Sequence, residues 1–175
     1  MKKTAVISTI GQDQPGIVEK ISNWVNELDL NIDDSRMTVL GGEFAIVMAV
    51  SGQSKALTML EKILDERCSE VGLAYLFRLT EGKSTKSLET LRVNVETMDH
   101  PGVVNNVAQF FSSLGVNIRE LQTDSVAAPH TGTPIFSMTM IIEIPHNLHT
   151  SLLSKQFALF CEENSLEGSV NPILE

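Results

Sequence analysis

The chain has 175 residues, 42% hydrophobic and 20% charged, with a formal net charge of −9. That length makes one ordinary domain or two small ones with a real core, and the composition excludes a disordered chain. Up to Lys86 there are 10 basic and 12 acidic residues, and beyond it 3 and 10, so the halves carry −2 and −7 and neither offers the basic surface that nucleic acid or an anionic membrane requires.

In chain order, residues 4–10 form a β-branched run that reads as a strand. Asp13-Gln14-Pro15-Gly16 then starts a helix. Proline suits the first helical turn, where its missing N–H has no partner, and Asp13 or Gln14 is expected near the cap. Ile17, Val18, Ile21, Trp24, Val25 and Leu28 recur at spacings of three and four, one apolar helical stripe. Residues 32–40 read as a strand, Gly41-Gly42 as a tight turn, and residues 44–50 as a nearly continuous apolar strand. Leu57, Leu60, Ile63, Leu64, Cys68 and Val71 mark a second helix, and residues 73–79 a closing strand. The polar stretch 80–87 reads as a linker.

The second half repeats this order. Residues 97–118 match residues 11–32 at an offset of 86, sharing Asp13/Asp99, Pro15/Pro101, Gly16/Gly102, Val18/Val104, Leu28/Leu114, Asn31/Asn117 and Ile32/Ile118. Leu91, Val93 and Val95 alternate with polar residues, as do Phe136, Met138, Met140 and Ile142 for most of their length. Leu148, Leu152, Leu153, Phe157, Phe160 and Cys161 mark the second helix, and residues 166–172 the last strand. A loop over residues 127–133 replaces the tight turn. The expected fold is therefore α+β: two tandem ferredoxin-like βαββαβ domains, 1–80 and 88–175, each an antiparallel sheet with its helices on one face. The other faces and the sheet edges are left to be covered, so a homodimer through edges or faces is one expectation.

Neither first loop carries a CxxC for a metal or an arginine for an acyl phosphate, and Phe44 and Phe136 alone do not make an RNA-stacking sheet. His146 and His149 form H-x-x-H without further ligands nearby, and read as a solvated helix start. Asp33 and Asp34 are neighbours on a strand and point to opposite faces, which disfavours paired-carboxylate catalysis. Cys68 and Cys161 read as buried, inert thiols and, with no signal-peptide or membrane-span pattern, point to a cytoplasmic protein. No catalytic residue, metal site or cofactor is expected.

What remains is the repeated D-x-P-G, with an asparagine sixteen residues after each proline. A helix N-terminus suits a carboxylate, and acid or amide oxygens suit an ammonium, so together they would hold a small amino acid. Equally, Asp would cap, Pro-Gly would start the helix and Asn would turn the chain.

The β-α-β-β-α-β order with D-x-P-G-I-V resembles the ACT domain, a regulatory module that often binds amino acids, in two copies spanning nearly the whole chain. The string from Asn31 to Phe44, N-I-D-D-S-R-M-T-V-L-G-G-E-F, is similar to the family of the glycine cleavage system transcriptional repressor. The resemblance implies a non-enzymatic negative regulator that holds a LysR-type activator in check by protein contact, with glycine or another small amino acid as effector. A free-standing regulatory subunit of a metabolic enzyme is the alternative. By position, the resemblance puts the ligand between paired domains, at Gly11, Gln12, Asp13, Gln14, Gly16, Ile17 and Asn31 in the first half. In the second it implies Thr97, Met98, Asp99, His100, Gly102, Val103 and Asn117. Some binding members carry His and Asn where this chain has Gly11 and Asp13. The first loop is preferred slightly, for its flanking N-I-D-D-S-R.

Overall fold

The structure is a computed structural model that describes residues 2–81, 88–127 and 132–173. Contacts divide the chain into two compact units, Met1–Ser84 and Thr85–Glu175. The expected linker lies mostly on residues 82–87 and the expected loop mostly on residues 128–131, outside the described residues.

The first unit runs β1 (Lys2–Gln12), α1 (Ile17–Asn26), β2 (Asn31–Leu40), β3 (Glu43–Gln53), α2 (Ser54–Glu70) and β4 (Leu73–Thr80). The second runs β5 (Glu89–Met98), α3 (Val103–Ser113), β6 (Asn117–Ala127), β7 (Pro134–Ile144), α4 (Thr150–Glu163) and β8 (Glu167–Pro172). Each makes a four-stranded antiparallel sheet, ordered β2-β3-β1-β4 and β6-β7-β5-β8. The expected fold class and order of elements are found in both. Gly41 and Gly42 both have positive φ, +61° and +85°, which suits the two-residue turn that pairs Leu40 with Glu43.

Alternate strand residues face the helices. Ala5, Ile7, Phe44, Ile46, Met48 and Val50 close one core against the helical stripes of α1 and α2. Leu91, Val93, Val95 and the methionines of β7 do the same against α3 and α4. Cys68 and Cys161 are free thiols buried on matching helices. Burial, with Asp65 nearby, pushes the Cys68 thiol up to about 11, so it stays protonated at neutral pH.

Two local expectations change. Gly11-Gln12 and Thr97-Met98 are strand, not loop, because the ladders continue to Gln12↔Glu43 and Met98↔Ile135. Asp13 and Gln14 do not cap α1, and Pro15 does not sit in its first turn. The N-cap is Gly16, at φ +85°, and a left-handed residue there separates the proline from the helix. Gly102, at φ +99°, does the same before α3.

Candidate functional site

Each D-x-P-G connection is anchored from below by its hairpin. The N–H of Asp13 donates to the Gly42 carbonyl and that of Asp99 to the Pro134 carbonyl, both at 3.0 Å. The carbonyls of Gly16 and Gly102 accept the first helical bonds, from Lys20 and Asn106. No side chain among the described residues caps either helix, so the first-turn N–H groups keep their partial positive charge.

The two ends differ in what surrounds them. α1 carries its own acid in the first turn: a Cβ placed on Gly16 would lie 3.8 Å from Glu19 Oε2. α3 has no first-turn acid, and Asn105 takes the place of Glu19. An open cavity of about 500 Å³ borders this end, lined by His100, Gly102, Val104, Asn105, Ala108 and Phe136. Phe136 is half-buried there, whereas Phe44, its counterpart, is fully buried. Asp99 is fixed by Ser125, whose Oγ donates to Asp99 Oδ2 at 2.8 Å. The position matching Ser125 is Val39, which has nothing to donate. Gln14 is turned aside, its Nε2 donating to the Val71 carbonyl at 3.3 Å, and His100 Nδ1 lies 3.2 Å from the Pro101 carbonyl. Gly11 is held by close packing, since a Cβ there would lie 2.6 Å from the Gly72 carbonyl oxygen. Ile17 and Val103 are buried in the core, Gln12 and Met98 are exposed on strand ends, and Thr97 Oγ1 donates to the Ser165 carbonyl at 3.4 Å.

The asparagines are not part of either cluster. Asn31 stands opposite Ser51 on β3, which in turn faces Thr4 near the start of β1. Eight steps along β1 separate Thr4 from Gln12, so Asn31 lies about 26 Å from the loop in its own unit. Asn117, opposite Glu143 and hence Thr90, is likewise at the far end of its sheet. Each asparagine instead serves the β-bulge beside it. Asn31 Nδ2 donates to Asp33 Oδ1 at 2.7 Å, where Ser51 Oγ also donates, and Asn117 Nδ2 donates to Glu143 Oε2 at 3.0 Å, with Arg119 on the other carboxylate oxygen. Within one unit, then, no amino acid spans the helix N-terminus and the asparagine.

His146 and His149 border a second cavity of about 380 Å³ with Glu89, whose Oε1 accepts from Thr150 Oγ1 at 2.8 Å. No group of three potential ligands that could hold a metal ion is found among the described residues. No helix among them is long and apolar enough to cross a membrane. Sequence reasoning missed Ser125 and Glu143, because both meet their partners from 26 residues away across a sheet.

Two βαββαβ units, each with a glycine at the start of its first helix, define the class. Residues 3–78 match the ACT domain family. A UPF0237 protein of Methanopyrus kandleri is 44% identical over 62 residues, 35% of this chain and 68% of that protein. The chain belongs to the ACT-domain family. It is a tandem ACT protein similar over nearly its whole length to the glycine cleavage system transcriptional repressor of Escherichia coli (strain K12), at 27% identity over 169 residues, covering 96% of this chain and 89% of the relative. The crystal structure of an unknown protein from Galdieria sulphuraria superposes with a TM-score of 0.86 at 25% identity, covering 99% of this chain and all of that one.

Proposed function

We propose that the chain is a cytoplasmic, non-enzymatic regulator of transcription that senses a small amino acid, glycine first among them, and acts by contact with a DNA-binding activator. Similarity to the glycine cleavage repressor supports the process regulated, and the LysR type of the activator follows from that resemblance. The net charge of −9 supports leaving DNA contact to the partner, since such a surface repels phosphates.

The observation that carries the effector reading is the contrast between the two helix N-termini. At α1 the Glu19 carboxylate already stands beside Gly16, where an incoming carboxylate would sit. At α3 no first-turn acid competes, an open cavity borders the turn, and Ser125 holds the Asp99 carboxylate ready for an ammonium. We therefore place the effector in the second unit rather than the first. Its carboxylate meets the N–H groups after Gly102 and its ammonium meets Asp99.

Calorimetric titration of glycine and then of the other amino acids tests this reading. A charge-assisted hydrogen bond is worth about 1.5–3 kcal/mol, so Asp99→Asn should weaken binding roughly tenfold to hundredfold. Asp13→Asn should leave it unchanged. Equal losses in both variants, or heat from no amino acid at all, would remove the site.

A further inference from the structure

The sheet face of the first unit that looks away from its helices has no role in the effector site. On it, Val6, Ser8 and Ile10 of β1 stand directly opposite Ala49, Val47 and Ala45 of β3. Their chain neighbours point into the core, so these six point outward. In the same rows the edge strands add Asp34 next to Ala49 on β2 and Arg78 next to Val6 on β4. The row through Val47 and Ser8 ends on Arg36 and Leu76. Val6, Ile10, Val47 and Leu76 are between 36% and 59% exposed, a run of large apolar side chains facing water.

We propose that this face pairs with the same face of a second copy of the chain, sheet on sheet, about a two-fold axis parallel to the strands. Such an axis carries β3 of one copy over β1 of the other and leaves each row of residues over itself. Val6 then faces the partner's Ala49, Ile10 the partner's Ala45, and Val47 the partner's Ser8. In these rows every large apolar residue of the two central strands meets a small one, the condition for two sheets to interdigitate at a spacing of about 10 Å. The same rotation brings β2 over the partner's β4. Asp34, held in place by a 2.6 Å bond to Arg36, faces the partner's Arg78, and by symmetry the ion pair forms twice. Leu76 lies against the aliphatic stem of the partner's Arg36.

The complementarity is of this face with itself, which is why the occupant is a second copy. The matching face of the second unit fails the same operation. Its central strands carry Arg92, Asn94 and Glu96 opposite Ile141, Thr139 and Ser137, and its edges would set Asp124 against the partner's Glu167, acid on acid. Association thus belongs to the first unit alone. One small sheet face with a single pair of symmetric ion pairs belongs with the smaller, weaker class of interfaces, so a reversible dimer is expected.

Sedimentation of the full chain over roughly 1–500 μM should show a monomer–dimer equilibrium. Leu76→Arg, on an exposed position that leaves the core intact, sets like charge against the partner's Arg36 and should weaken it at least about tenfold, with folding checked by circular dichroism. Asp34→Arg and Arg78→Asp should each weaken it by roughly fivefold, since symmetry doubles the like-charge contact, and the double exchange should return it to within about twofold. A chain that stays monomeric throughout, a dimer indifferent to Leu76→Arg, or a double exchange that restores nothing would overturn the proposal. None of these readings depends on an effector.

Discussion

On the outer face of β1 stand Val6, Ser8 and Ile10, and at the matching positions of β5 stand Arg92, Asn94 and Glu96. Leu76 on β4 likewise becomes Ser169 on β8. The seam between the helices diverges in the opposite sense. In the first unit Trp24 is roofed by the Arg67 guanidinium at 5.9 Å, and Arg67 Nη1 is bound to Glu27 Oε2 at 2.7 Å. The second unit fills those places with Phe110, Phe160 and Ser113, and the two rings sit 4.8 Å apart. One unit is apolar outside its sheet and charged over its helices; the other is charged outside its sheet and aromatic between its helices. The inward stripes stay almost wholly apolar, with Phe111 for Val25 and Phe157 for Leu64 among the enlargements that fill the second core. After a duplication, surfaces can separate in role while the framework is held fixed.

The largest break of this comparison is at the aromatic seam. Phe157 packs 5.2 Å from Phe111 and 5.5 Å from Phe110, while its counterpart on α2 is Leu64. Phe157→Ala should cost the second unit about 3–5 kcal/mol, the usual loss for emptying a buried aromatic site. Trp24 is the single tryptophan and belongs to the first unit, so its fluorescence follows that unit alone. Urea denaturation should show circular dichroism gaining an early transition while the Trp24 midpoint stays in place. A Trp24 midpoint that moves with it would mean the units unfold as one.

A smaller effect sharpens the comparison inside the sheets. Thr9 is 2% exposed and its hydroxyl has no hydrogen-bond partner among the described residues, where the second unit has Val95. A buried unpaired hydroxyl costs about 1–3 kcal/mol. Thr9→Val, nearly the same shape, should therefore raise the Trp24 midpoint by about 1 kcal/mol of stability, and Val95→Thr should lower that of the second unit by at least as much. A neutral Thr9→Val would show that the hydroxyl is satisfied in solution.

Most of the fold was legible because it rests on short-range periodicity. The stripe from Ile17 to Val25 and the alternation from Leu91 to Val95 each state their element without help from the rest of the chain. The offset of 86 then makes one unit a check on the other. The apolar outer face was half-visible: residues 44–50 run apolar without alternation, as a strand buried on both faces would, although Val47 is exposed. The helix starts were misread because D-x-P-G looks like a capping sequence, and only the backbone shows Gly16 and Gly102 in the left-handed region. Burial of Cys68 and Cys161 followed from the stripes on which they lie.

The asparagines show where linear spacing misleads. Sixteen residues from Pro15 to Asn31 look like one local cluster, yet α1 runs the length of the sheet in between and delivers Asn31 to its far end. An asparagine supplied by a second copy of the chain would still agree with the resemblance to ACT domains. The bonds to Asp33 and Glu143 give the two asparagines a different occupation, closing the bulges at Ile32/Asp34 and Ile118/Glu120. A net hydrogen bond of this exposed kind contributes about 0.5–1.5 kcal/mol. Asn117→Ala should therefore cost the second unit roughly 1 kcal/mol of stability and leave glycine affinity within about twofold. Calorimetry on Asn117→Ala beside Asp99→Asn separates the two arrangements. Loss in Asp99→Asn alone places the whole effector at the start of α3, whereas a tenfold loss in both would mean that the ligand bridges two copies, with the asparagine drawn from the other one.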